Sequence, residues 1–249
     1  MPIIDIDTLC FHFPDGTVGL DRISLCVEEG TLVVVTGPNG SGKTTLLKHL
    51  NGLLRPQKGA VRVDGVEVSS DLRRARRLVG MIFQDADSQI VGETVAADVA
   101  FGPENLVLPP AEIGVRVAAA LDAVGLTAYA DHPSQALSGG EKRRLSIAGV
   151  LAMNPRILAF DEPFSGLDYP GTRQVLREML RLQQEGHTLI VATHDLEKII
   201  AHADRLVVLN AGRIVRDGPP KHILGEIEPF GVRAPCATRY GLEAESWLR

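Results

Sequence analysis

Residues 37–44 read Gly-Pro-Asn-Gly-Ser-Gly-Lys-Thr and fit the spacing G-x-x-x-x-G-K-[ST]. The run before them, Leu32–Thr36, is apolar and β-branched, which predicts a buried strand. The run after them, Thr44 to Asn51, predicts a helix that stops at Gly52. Strand, glycine loop and helix in this order let backbone N–H groups curl inward around an anion. The positive end of the helix adds to that field. In such a loop Lys43 supplies a point charge for the β- and γ-phosphates of a nucleotide, and Thr44 a hydroxyl for Mg²⁺.

With 249 residues, the chain has room for one domain with an attached lobe, or for two small ones. An apolar share of 45% is ordinary for a globular protein. No apolar run approaches the roughly 20 residues that span a bilayer. No basic stretch leads into an apolar one at the N-terminus, so no signal peptide is expected. Cys10, Cys26 and Cys236 lack metal-ligand spacing and read as free thiols in a reducing cytosol. A net charge of −5 argues against a nucleic-acid partner. Arg73, Arg74, Arg76 and Arg77 share a helical face and read as a solvated surface.

Strands are predicted within 3–28, around the turn Pro14-Asp15-Gly16, and again within 60–68, at 79–83, 157–160, 188–192, 205–209 and 213–216. Helices are predicted between Glu93 and Gly125, with Pro109-Pro110 separating two of them, and at 140–153, 171–185, 195–202 and 220–224. The tail from Glu226 reads as irregular until its last residues. Strands and helices alternating around a phosphate loop imply an α/β fold with a mostly parallel sheet. The β-rich start and the helical block read as additions to it.

The strand Arg156–Phe160 runs into Asp161-Glu162. Ligands in such sheets collect at the carboxyl ends of strands. Asp161 is thereby a candidate to reach Mg²⁺, directly or through water, and Glu162 a general base for an attacking water. Leu137-Ser138-Gly139-Gly140-Glu141 precedes a helix whose first turn carries Lys142, Arg143 and Arg144. Cations there oppose the helix dipole, so an anion or partner groups elsewhere are expected.

Taken in order, Gly37–Thr44, Leu137–Glu141, Asp161-Glu162 and Ser165-Gly166-Leu167-Asp168 resemble the nucleotide-binding subunit of ABC transporters, over about residues 3–224. The resemblance implies a phosphate-loop ATPase core with an N-terminal antiparallel β subdomain and a helical signature lobe. It divides the chain into an ATP-binding domain at 1–224, with the lobe at about 85–153, and a short tail at 225–249. ATP is the implied substrate and Mg²⁺ the implied cofactor. The implied ATP-binding set is Gly37, Pro38, Asn39, Gly40, Ser41, Gly42, Lys43, Thr44 and Thr45, with Phe13 stacking on adenine and Phe11 as the alternative. Lys43, Gln84, Glu162 and His194 are the implied catalytic residues. Thr44, Gln84 and Asp161 are the implied metal set, partly through water. Gln84 would sense the metal and the attacking water, and His194 the γ-phosphate. Ser138, Gly139, Gly140 and Glu141 would act on the ATP of a second ATPase subunit, a copy or a paralogue, packed head to tail, and Asp168 would couple the two sites. Glu141 stands where the family usually has Gln, which leaves the strength of dimer closure open.

Phe83–Val91, continuing through Thr94-Val95 and Asp98–Leu106, is similar to the ATPases of energy-coupling factor transporters, which import vitamins or transition-metal ions. That similarity implies two further partners, a membrane energising subunit and a substrate-binding membrane subunit, and a peripheral place at the cytoplasmic face of the cell membrane. Asp85 and Asp87 are candidates to meet arginines of the energising subunit, and Ile90, Val91, Val95 and Phe101 candidates to line its groove. Another ABC importer class, or a soluble ABC ATPase, is the rival reading. Trp247 and Leu248 are candidate anchors for dimer contacts.

Overall fold

The computed structural model describes residues 2–248. Met1 and Arg249, the outer bounds of the two expected segments, lie outside the described residues. In chain order the elements are β1 Ile4–His12, β2 Val18–Val27, β3 Leu32–Thr36, α1 Lys43–Leu50, β4 Lys58–Val63, β5 Val66–Glu67, α2 Leu72–Leu78, β6 Val79–Ile82, α3 Val95–Asn105, α4 Pro110–Ala123, α5 Gly139–Leu151, β7 Ile157–Asp161, α6 Tyr169–Gln184, β8 Thr188–Ala192, β9 Arg205–Asn210, β10 Arg213–Gly218, α7 Pro220–Ile223 and α8 Cys236–Arg239.

Two sheets form. One is antiparallel, in the order β2-β1-β4-β5, and the other has six strands in the order β10-β9-β3-β8-β7-β6. Pairing in the second sheet is parallel except between β9 and β10. Its central strands are covered on both faces, so they read as continuous apolar runs. Alternate residues then separate into two cores. Leu32 and Val34 of β3, with Leu158 and Phe160 of β7, join the core shared with α5 and α6. Val33, Val35, Ile157 and Ala159 face the core made by α1 and the antiparallel sheet. This is the expected ATPase core with its antiparallel subdomain and helical lobe.

Residues 195–202 differ from the expected helix. They form two 3₁₀ turns, Leu196–Lys198 and Ile200–His202. Leu196, Ile199 and Ile200 are all buried there, and the tighter i→i+3 bonds of short 3₁₀ pieces turn the chain toward β9 while keeping all three inside. The tail is also less irregular than expected. Ile227 and Val232 are buried in the core, and Trp247 and Leu248 pack against it. Trp247 lies 5.5 Å from the Tyr169 ring, so both candidate dimer anchors are engaged within their own chain.

The expected peripheral position at the cytoplasmic membrane face is overturned. No described helix is long and apolar enough to cross a membrane. The longest, α6, has 16 residues and turns one apolar face to the core through Val175, Leu176, Met179 and Leu182, while Arg181, paired with Glu178 and Glu185, lies on its outer side. On the arginine face of α2, Arg73, Arg76 and Arg77 are exposed and Arg74 is paired with Asp64 at 2.6 Å.

Candidate nucleotide site

The loop between β3 and α1 holds two glycines at which any side chain would be strained. Gly37 has φ 151°, and a Cβ there would sit 2.1 Å from the Leu209 carbonyl oxygen. Gly42, with φ 105°, is the N-cap of α1, and its Cβ would meet the Gly19 carbonyl oxygen at 2.6 Å. The loop is therefore pressed against the backbone of its neighbours, with α1 starting at Lys43. Lys43 is 7% exposed. Its Nζ donates to the carbonyls of Gly37 at 2.8 Å and Pro38 at 3.1 Å. An ammonium has three hydrogens, so one remains for a ligand. Burial lowers its pKa, and the Glu162 and Asp161 carboxylates oppose that shift. The buried Ser41 hydroxyl has no partner, a donor left over for whatever the loop encloses.

Parallel register brings the acidic groups to this loop. Asp161 at the end of β7 pairs with Ala192 at the end of β8, and Ala192 pairs with Val35 of β3. The Thr44 hydroxyl, one residue into α1, donates to Asp161 Oδ2 at 2.7 Å. Burial raises the pKa of Asp161 against the lowering effect of the Thr44 bond. A hydroxyl and a carboxylate are hard oxygen donors, few in number and beside a phosphate loop, which fits Mg²⁺.

Glu162 follows with φ 48°, uncommon for a residue with a side chain. Its N–H donates to the Ala192 carbonyl at 2.8 Å. Its Oε1 accepts from the His194 N–H at 3.0 Å and from His194 Nδ1 at 2.7 Å. Its Oε2 accepts from the Thr193 hydroxyl at 2.9 Å. Lys43, Thr44, Asp161, Glu162 and His194 thus form one cluster at the carboxyl edge of the sheet.

Other expected residues stand apart from that cluster. Gln84 is exposed just beyond β6, and its carbonyl, with that of Phe83, accepts from the Arg143 guanidinium. Phe13 is 38% exposed and meets the Phe11 ring edge-on at 5.2 Å, while Phe11 leans on the buried His49 at 5.0 Å. Asp168 caps α6 by accepting from the Gly171 N–H at 2.8 Å. Ser138 caps α5 in a capping box with Glu141. Glu141 Oε2 accepts from the Ser138 N–H at 2.8 Å and hydroxyl at 2.7 Å. These bonds from Ser138 lower the Glu141 pKa.

The basic first turn of α5 finds its partners within the chain. Lys142 pairs with Asp87 at 2.5 Å, Arg143 holds the two carbonyls just named, and Arg144 donates to the Val124 carbonyl and to Gln174 Oε1 at 3.1 and 3.0 Å. Asp87 is therefore already engaged. Ile90 and Val95 are core residues, whereas Val91 and Phe101 are 60% and 51% exposed. Sequence reasoning missed Arg143 and Thr193 as site residues. The cost of a cation at a helix start was the signal for the first. For the second, only its place beside His194 offered one.

A family model described as ABC transporter matches residues 20–165. The chain belongs to the ABC transporter family. It is 42% identical over 231 residues to the energy-coupling factor transporter ATP-binding protein EcfA of Methanocaldococcus jannaschii, an alignment covering 92% of this chain and 83% of that protein. Among solved structures, it matches cbiO1 of Clostridium perfringens, part of the ABC transporter complex cbiONQ, with a TM-score of 0.82, 36% identity and 92% of each chain covered. It also matches an ATP-binding cassette in a dimeric post-hydrolysis state with ADP and Pi, with a TM-score of 0.79, 26% identity, and 87% and 98% of the two chains covered. As an ABC transporter ATP-binding subunit with the family's ATPase fold, the chain is built to bind Mg·ATP.

Proposed function

We propose that this ABC subunit hydrolyses ATP to drive an energy-coupling factor importer of a vitamin or a transition-metal ion, through ATP-dependent closure and opening of a dimer of ATPase subunits. The observation that carries the hydrolytic part is the cluster at the sheet edge, where the Thr44 hydroxyl reaches Asp161 at 2.7 Å beside the buried Lys43. The importer class rests on the 42% identity to a protein named for that role.

In this reading residues 1–224 form the ATP-binding domain, with the lobe at about 85–153, and 225–249 a tail. Residues 37–45 turn backbone N–H groups, the Ser41 hydroxyl and the last hydrogen of Lys43 toward the phosphates, and Phe13 stacks on the adenine. Thr44, Gln84 and Asp161, partly through water, would hold Mg²⁺, which when bound offsets charge on the phosphate oxygens. Glu162 accepts a proton from the attacking water, and His194 and Lys43 stabilise the charge that develops on the γ-phosphate. The turn Ser138–Glu141 serves the nucleotide of a second copy or a paralogue, with Asp168 linking the two sites. A lone subunit then holds half of each composite site and turns over slowly.

Exposed Val91 and Phe101 on the 84–106 segment support docking of a membrane energising subunit there, alongside a substrate-binding membrane subunit. The test is detergent extraction of the tagged chain from its own cells, with mass-spectrometric identification of what travels with it. An energising membrane protein and a small substrate-binding membrane protein are expected. A permease pair with a separate soluble binding protein would overturn the importer class.

A further inference from the structure

We propose that Thr193 is the positioning residue that holds Glu162 ready through the catalytic cycle, an inference that rests on Glu162 as the base. The two oxygens of that carboxylate are held in different ways. Oε1 is held by the His194 main chain and by an imidazole whose side chain is 65% exposed. Oε2 is held by the hydroxyl of Thr193, a residue 1% exposed. An exposed imidazole is free to turn toward a phosphate. A buried β-branched side chain is confined to few rotamers.

Three bonds fix that hydroxyl and the glutamate it meets. The Asp195 N–H donates to Thr193 Oγ1 at 3.1 Å, which occupies one lone pair and leaves the O–H to point at Glu162. The Thr193 N–H donates to the Val35 carbonyl at 3.0 Å. Val35 lies on β3, the strand that runs into the phosphate loop at Gly37. The Glu162 N–H completes the set through the Ala192 carbonyl at 2.8 Å, which stabilises a left-handed backbone that a glutamate disfavours. The base is thereby referenced to the strand that carries the phosphates. When the imidazole leaves Oε1, that oxygen becomes available to water while Oε2 keeps its anchor.

The inference makes Thr193 act on turnover rather than on nucleotide binding. The test is steady-state ATPase activity of the complete chain in its assembled complex, with Thr193→Val, Thr193→Ala, Thr193→Ser and Glu162→Gln compared at equal folded concentration. Thr193→Val and Thr193→Ala are expected to lower kcat by about tenfold or more, as loss of a hydrogen bond to a charged group implies. KM for ATP should stay within about twofold, and Thr193→Ser should restore most of the rate because it keeps the hydroxyl. If the valine variant fails to fold, the alanine and serine pair still decides, since both lose the methyl and only one loses the hydroxyl. Equal loss in alanine and serine would assign the effect to packing and overturn the proposal. Wild-type kcat in Thr193→Ala with turnover abolished in Glu162→Gln would overturn it and leave the base in place. Full turnover in Glu162→Gln would remove the base itself, and the proposal with it.

Discussion

Glu162 is buried, its carboxylate accepts from three donors, and that arrangement needs a carboxylate at this position. Glu162→Gln keeps the size of the side chain and removes the basic oxygen. Its expected effect is a loss of at least about 100-fold in ATP turnover, comparable to deleting a general base, with ATP-loaded dimers accumulating. Sedimentation velocity with and without ATP reads the dimer directly, and a variant that stays monomeric while ATP is bound would count against the closure mechanism. Gly37 belongs to the same scale. Its replacement by alanine drives a methyl into the Leu209 carbonyl in a strained backbone. Loss of ATP binding together with a lower Tm is expected, measurable by equilibrium nucleotide titration and thermal unfolding.

Among the elements, α5 carries the signature turn, and its N-terminus is held by the box between Ser138 and Glu141. Removing the cap with Ser138→Ala should destabilise the chain by about 0.5–2 kcal/mol. Glu141→Gln keeps an acceptor for the Ser138 N–H, so a smaller loss is expected. Urea denaturation separates the two, and an equal loss in both would show that the box needs the Glu141 charge as much as the Ser138 hydroxyl. Helix α1 supplies a pH dependence. Burial holds the His49 imidazole below its ordinary range, against a bond from Nδ1 to the Thr45 carbonyl at 2.7 Å. The unfolded chain takes up a proton as pH falls through about 6.5, and the folded chain resists it. This contribution is therefore complete above about pH 6.5 and declines below it. His202 is shifted in the same direction by burial. His49→Leu should flatten part of the fall in stability between about pH 7 and 5.5, as read from urea midpoints; an unchanged slope would place the proton uptake elsewhere.

On the scale of the whole molecule, the tail beyond α7 is part of the folded unit. Ile227 is fully buried and Val232 is 4% exposed. The carbonyl of Leu248 accepts from Arg173 at 3.3 Å, and Ser246 hydrogen-bonds His202 at 2.9 Å. Full burial of an aliphatic side chain stabilises by about 1.5–3 kcal/mol. Truncation after residue 225 should therefore reduce unfolding free energy by about 3–6 kcal/mol from Ile227 and Val232 together, measured by urea denaturation. A truncated chain of unchanged stability would mean that the tail rests on the core without sharing in it.

The phosphate loop, the carboxyl-edge acids, the parallel core and the family were legible in the chain itself. Each depends on neighbours close in sequence: glycines at fixed intervals, apolar runs of strand length, a capping residue ahead of a helix. Most of the strands and helices lie where these local patterns put them. The two 3₁₀ turns at 196–202 do not, because the burial of Leu196, Ile199 and Ile200 against distant strands outweighed helix propensity. Long-range placement decided the rest. The bond from Thr44 to Asp161 joins residues 117 apart in the chain, and the one from Thr193 to Glu162 joins residues 31 apart. Both depend on the register of β3, β7 and β8, which side-by-side pairing sets and no local pattern encodes. The partners of Lys142, Arg143 and Arg144 were anticipated as a requirement, because cations at a helix start need them. Only the packing of α5 against the end of β6 and the segment beyond it chose the Phe83 and Gln84 carbonyls and Asp87 to meet that requirement.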